Sequence, residues 1–164
     1  MTTDPFTASA RAILAALRAG AGFTSIVPAG NLIDMTADTF ERFKTTIQSG
    51  DTPEVVLLQE AFRLAPFTAG SRAAEIDQTF QLIATHDSLR AVPLNALKFQ
   101  TLLALAGAGP SLGLEGLVRQ WSLTDARDDA FGPKQWRRGT ERWVSILSIE
   151  VGMYLSRDRL ASGG

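Results

Sequence analysis

The chain has 164 residues, 45% of them hydrophobic and 20% charged, with a formal net charge of −1 at pH 7. Such a length and composition suit one soluble globular domain with a real core, and they offer no global basic field for nucleic acid or anionic lipid. There is no cysteine, which excludes disulfides, thiolate nucleophiles and Cys-ligated zinc or iron–sulfur sites.

The N-terminal segment Met1–Phe6 lacks a basic start, and the apolar run Ala12–Leu17 is short and flanked by Arg11 and Arg18. No signal peptide is expected. No apolar run approaches ~18 residues, so no membrane span is expected either. The reading is one domain over residues 1–160 and a flexible tail, Ala161–Gly164.

A first helix is predicted over Thr7–Ala19, with Thr7 or Ser9 as cap, Ile13, Leu14 and Leu17 as its apolar stripe, and Gly20 and Gly22 as its stop. Phe23, Ile26 and Val27 read as a short extended segment, and Ile33 and Met35 as a brief strand. A second helix is predicted over Asp38–Gln48, where Phe40, Phe43 and Ile47 recur at helical spacing. Asp51-Thr52-Pro53 breaks the chain. Strands over Glu54–Phe62 and Ala73–Thr85 then form an antiparallel hairpin around the loop Ala65–Arg72.

Pro93 opens the next helix, Leu94–Ala106, at a position where its missing N–H costs nothing. Leu94, Leu97, Thr101, Leu102 and Leu105 make its predicted inner stripe. Leu117–Thr124 reads as a strand, and Asp125–Glu141 as a polar, turn-like connection. The last element is the most informative. From Arg142 to Arg157, Trp143, Ser145, Leu147, Ile149, Val151, Met153 and Leu155 fall on one parity and mixed residues on the other. That is period two, a strand with one apolar face. A strand of about a dozen residues spans on the order of 40 Å, long enough to cross a curved sheet or reach a neighbouring subunit. Paired strands separated by helices predict an α+β fold, an antiparallel β-sheet with helices packed on one face.

No catalytic kit stands out. His86 is the sole histidine and lies beside Asp87 and Ser88, but neighbours on a strand point apart and a triad is built by geometry. It reads as an exposed strand-end residue, and one His without Cys makes a poor transition-metal site. Asp125, Asp128 and Asp129 form an acidic cluster without calcium-loop spacing, and Arg127 and Lys134 lie in the same connection. A solvated loop or subunit contact is the plainer reading than a metal. Gly107-Ala108-Gly109-Pro110 follows a helix and carries no Gly-Lys-Ser/Thr, so it is a helix cap and turn and not a phosphate cradle. Trp136, Arg137 and Arg138, with Lys134 and Arg142 nearby, form the best aromatic and cationic spot. Nucleic acid could stack there, but Trp and Arg are also enriched at protein interfaces, and the interface reading is favoured. No catalytic, metal or cofactor-binding residue is assigned, and no cofactor is expected.

The layout resembles the tail terminator and tail-completion (head–tail joining) proteins of long-tailed bacteriophages. The likeness runs through the helix ending at Leu14–Ala19, the strand opening Pro53-Glu54-Val55-Val56-Leu57, the strand Ile76–Ala84, the helix Leu94–Ala106, the strand Leu117–Thr124, and the ending Arg137-Arg138-Gly139-Thr140-Glu141-Arg142-Trp143-Val144 through Val151. The helix Asp38–Gln48 and the connection Asp125–Glu141 elaborate on that compact form. The resemblance implies a non-enzymatic virion protein, assembled in the host cytoplasm. It implies a homo-oligomer, usually a hexameric ring, that caps the tail tube, contacts the tail-tube protein and a head-completion or neck protein, and lets DNA pass without gripping it. Candidate subunit contacts are Trp136, Arg137, Arg138, Arg142, Pro66 and Phe67, and candidate lumen or interface charges are Asp128, Asp129 and Lys134. Neck and tail-tube proteins share related architecture and remain alternatives, as does a small α+β adaptor or enzyme.

Overall fold

A computed structural model describes residues 4–34, 54–64, 73–86, 92–131 and 142–156. The helix Asp38–Gln48, the loop Ala65–Arg72 and the tail Ala161–Gly164 lie outside the described residues.

Helix α1 spans Pro5–Ala19. Its cap is Asp4, earlier than expected: the Asp4 carboxylate accepts from the Thr7 N–H at 2.8 Å, and Pro5 follows at the first helical position. Ser9 sits inside the helix. Its hydroxyl lies 2.9 Å from the Pro5 carbonyl oxygen and 3.2 Å from the Met153 sulfur. Ala10, Ile13, Leu14 and Leu17 recur at three- and four-residue spacing and are all buried.

The extended segment expected at Phe23–Val27 is instead a short helix, α2, Ala21–Ile26. The reason is spacing. Phe23 and Val27 are four apart, and one helical turn buries both on the same side. Thr24 and Ser25 hydroxyls donate back to the carbonyls of Ala21 and Gly22, at 3.2 and 2.7 Å, and support that turn.

Among the described residues, five strands form one sheet in the order β1-β2-β3-β5-β4. They are β1 (Leu32–Asp34), β2 (Glu54–Leu64), β3 (Ala73–His86), β4 (Val118–Phe131) and β5 (Arg142–Ser156). The α+β class holds, with one correction. The sheet is mixed, because β1 runs parallel to β2, pairing Leu32 with Val55 and Asp34 with Leu57. A parallel neighbour needs a crossover of a dozen or more residues, and stretch 35–53 is long enough to supply it. The predicted β2–β3 hairpin is present, with a bulge between Gln59 and Ala61. β3 and β5 pair without interruption from Ala73↔Ser156 to His86↔Trp143.

One face of this sheet carries the core. Ile76, Phe80 and Leu82 on β3 stand beside Met153, Ile149 and Leu147 on β5. The helices lie over them, contributing Ile13, Leu14 and Leu17 from α1, and Leu97 and Leu105 from α3 (Val92–Gly107). Gln78 is fully buried on that face; its amide oxygen accepts from the Gln59 side chain at 3.1 Å and its NH2 donates to the Thr79 carbonyl at 3.0 Å. Such pairing is what a buried amide requires. Ile33 and Val56 are buried on the opposite face of the β1–β2 corner.

Candidate functional site

The acidic residues expected in a loop are part of a strand. β4 does not stop near Thr124 but runs to Phe131. Asp125 stands opposite Ser148, Asp128 opposite Ser145, and Asp129 opposite Val144. The alternating apolar signal fades after Leu123, yet the backbone goes on pairing because β5 offers a full-length partner. Arg142 opens β5 opposite Phe131, so it lies at the far end of the β4–β5 ribbon. His86 ends β3 opposite Trp143. Trp136, Arg137, Arg138, Lys134, Pro66 and Phe67 lie outside the described residues. Among the described residues, no group of three or more His, Cys, Asp or Glu side chains is placed to hold a metal.

The turn after α3 matches its expectation as a cap. Gly109, Gly113 and Gly116 all have positive φ, as does Leu112 at 53°. Glycine adopts that region freely, whereas Leu112 holds it at a cost and keeps its side chain buried. Trp121 on β4 locks this turn to the sheet, its indole N–H donating to the Gly109 carbonyl at 2.9 Å.

Among the described residues, two kinds of surface are left open. The first is the sheet's edges. β1 covers only Val55, Val56 and Leu57 of β2. Among the described residues, the rest of β2 has a strand neighbour only in β3, and 14-residue β4 has one only in β5. An uncovered edge is a row of unused donors and acceptors that invites another chain.

The second is the outside of the helical layer. Leu97, Thr101 and Leu105 form the buried row of α3, with the Thr101 hydroxyl bonded to the Leu97 carbonyl at 2.8 Å. Leu102, expected inside, is 40% exposed, with Phe99 at 57% and Leu103 at 49%. The buried row advances by four residues each time, which turns Leu102 outward. Leu103 also lines a shallow cleft of about 230 Å³ between α1 and α3, with Ala16, Ala19 and Gly20 on one wall and Leu103, Ala104 and Gly107 on the other. Sequence reasoning did not single out Phe99 or Leu103. The signal was present: α3 is apolar on more than one face, more than burial against one sheet needs.

The three helices of the described residues contain Arg11, Arg18 and Lys98 and no acidic residue. Arg11 and Arg18 are exposed. No helix among the described residues is long and apolar enough to cross a membrane.

No family model and no curated protein matches this chain. Its fold does match a solved structure. The chain is similar to one in the "Virion of native gene transfer agent (GTA) particle", with a TM-score of 0.57 and 14% identity, covering 88% of this chain and 93% of that one. The likeness therefore spans the whole fold of both chains and is not carried by a shared fragment.

Proposed function

We propose that this chain is a structural, non-enzymatic protein of a phage-like virion, forming a closed ring that caps the tail tube and joins it to the head or neck. The observation that carries this reading is the end-to-end fold likeness to a chain of a gene transfer agent virion. The shape of the molecule agrees with it. A sheet whose outer edges are largely unpaired among the described residues, and an exposed apolar helix face, are surfaces suited to repeated contact between copies. In a ring each copy uses two different surfaces, and the contacts close. A formal net charge of −1 suits a lumen that passes DNA without gripping it.

Native mass by light scattering over a range of concentrations, with negative-stain imaging, tests the reading. A closed ring, most tellingly a hexamer, supports it, and capping of purified tail tubes is the next assay. A strict monomer that binds no tail component overturns it.

A further inference from the structure

We propose that one ring contact seats the Lys134–Arg138 segment of one copy on the open face of the next copy's sheet, over Asp77, Glu150 and Asp125. This rests on the ring reading above and names the two surfaces that meet.

The register defines the open face, because directly paired residues share a face. Asp77 stands opposite Gly152, Glu150 opposite Thr79 and Ser122, and Asp125 opposite Ser148. Gly152, Glu150 and Ser148 alternate along β5 with Val151 and Ile149, which lie in the core under the helices. All three carboxylates are therefore on the side away from the helices. They occupy successive rows, ~7 Å apart along the strands. Arg119 on this face is held by Glu75 at 3.2 Å, whereas Asp77, Glu150 and Asp125 enter no ion pair among the described residues. Glu75, Asp77, Asp125 and Glu150 thus outweigh Arg119 and Arg63, which pairs opposite Asp77. Arg127 and Asp129 follow at the next two register positions, opposite Ile146 and Val144, with one charge of each sign. Tyr154, 46% exposed, flanks the patch opposite Glu75, and the half-buried pair Ile83 and Ile146 closes its other end.

The chain carries a segment of matching chemistry. Stretch 132–141 joins Phe131 to Arg142 and holds Lys134, Arg137 and Arg138 against Glu141, with Trp136 among them. Opposite charge steers encounter and sets register. Trp and Arg are the side chains that most often anchor an interface, and a guanidinium stacks favourably on a Tyr ring. Reach assigns the contact to a neighbour. Trp136 is five residues from Phe131, so it extends at most ~18 Å from it. Glu150 lies eight residues along β5 from Arg142, the partner of Phe131, on the order of 26 Å away. A chain's own Trp136 falls short of the Glu150 and Asp77 rows. The segment and the face are different surfaces, so the contact runs head to tail and can close.

The absence of cysteine makes the test clean. Gln135→Cys and Gln120→Cys chains are prepared separately, mixed and oxidised, with native mass measured on the same samples. Gln120 is exposed and stands opposite Gly152, in the row of Asp77. In the control mixture Ala15→Cys, at an exposed position of α1, replaces it. Circular dichroism checks folding. The expected result is a disulfide-linked pair containing one chain of each kind, several-fold above the control. Arg137→Glu lowers the assembled fraction several-fold, and Glu150→Arg in the same chain restores it. A ring that forms without cross-linking above the control overturns this contact and leaves the ring reading standing. A chain carrying both Gln120→Cys and Gln135→Cys that closes its own disulfide at monomeric dilution also overturns it, because the segment then covers its own face. A protein that never associates, alone or with tail tubes, overturns both.

Discussion

Gly20 lies so close to Ala104 that a Cβ built on the glycine would fall 2.6 Å from the Ala104 Cβ. The backbone of Gly20 is ordinary, with φ −75° and ψ 102°. Space, and not conformation, therefore requires glycine. This contact joins the end of α1 to the last turns of α3, and both residues line the cleft beside the exposed stripe.

Gly20→Ala should accordingly destabilise by ~1–3 kcal/mol, the usual cost of overpacking. Ala104→Gly removes the obstacle at a helix-interior cost of ~0.5–1 kcal/mol. The double variant is expected to be more stable than Gly20→Ala alone, measured by urea unfolding at one fixed protein concentration. Simple additivity of the two losses would show that the helices separate instead of meeting here.

Phe80 and Phe99 offer a second contrast. Phe80 is fully buried beneath the helices, and Phe99 is 57% exposed. Phe80→Ala leaves a cavity and should cost ~3–5 kcal/mol. Phe99→Ser should change monomer stability by no more than ~0.5 kcal/mol while lowering the native mass of the assembled species. Thermal unfolding and light scattering on the two variants separate the roles. Equal destabilisation by both would mean that Phe99 belongs to the core.

The cap of α1 is pH-dependent in a defined direction. Hydrogen bonds from the Thr7 side chain, and then from the Thr7 N–H, hold the Asp4 carboxyl below its ordinary value of 3.8. A carboxyl lowered by folding adds stability above the ordinary carboxylate range and loses it as pH falls through the lowered native value. Asp4→Asn keeps a capping oxygen without the charge. The stability gap between the native chain and Asp4→Asn should shrink as pH falls below the usual carboxylate range, and Asp4→Ala should cost ~1 kcal/mol at pH 7. Denaturant titrations across acid pH check both. A gap that widens on acidification would assign the effect to another group.

Glu75 and Arg119 meet at 3.2 Å on the open face of the sheet, with their side chains 55% and 52% exposed. So exposed a pair is worth little. A double-mutant cycle with Glu75→Gln and Arg119→Gln should give a coupling of no more than ~1 kcal/mol. It should fade in 1 M salt, where screening acts over ~3 Å. A coupling that survives high salt would point to a contact buried by assembly.

Much of this molecule was legible in its residues. α1, the β2–β3 hairpin, α3 and the long β5 declared themselves through periods of 3.6 and 2, because one-sided burial imposes those periods. The cap and turn after α3 followed from its glycines. Other features depended on what each segment met in space. Phe23 and Val27 suit a short strand or a single helical turn, and packing chose the turn. β1 became a parallel neighbour of β2 because its partner lies past a long connection, which no local pattern encodes. β4 extended through Asp125, Asp128 and Asp129 because β5 continued beside it and supplied hydrogen bonds that polar residues accept as readily as apolar ones. Leu102 faces outward because the sheet needs one row of α3, and a helix apolar on several faces does not announce which row that is. The residues by themselves determined the class and the elements with a one-sided apolar period, α1, β2, β3, α3 and β5. The tertiary structure decided which apolar and charged groups were left uncovered, because exposure depends on every neighbour at once.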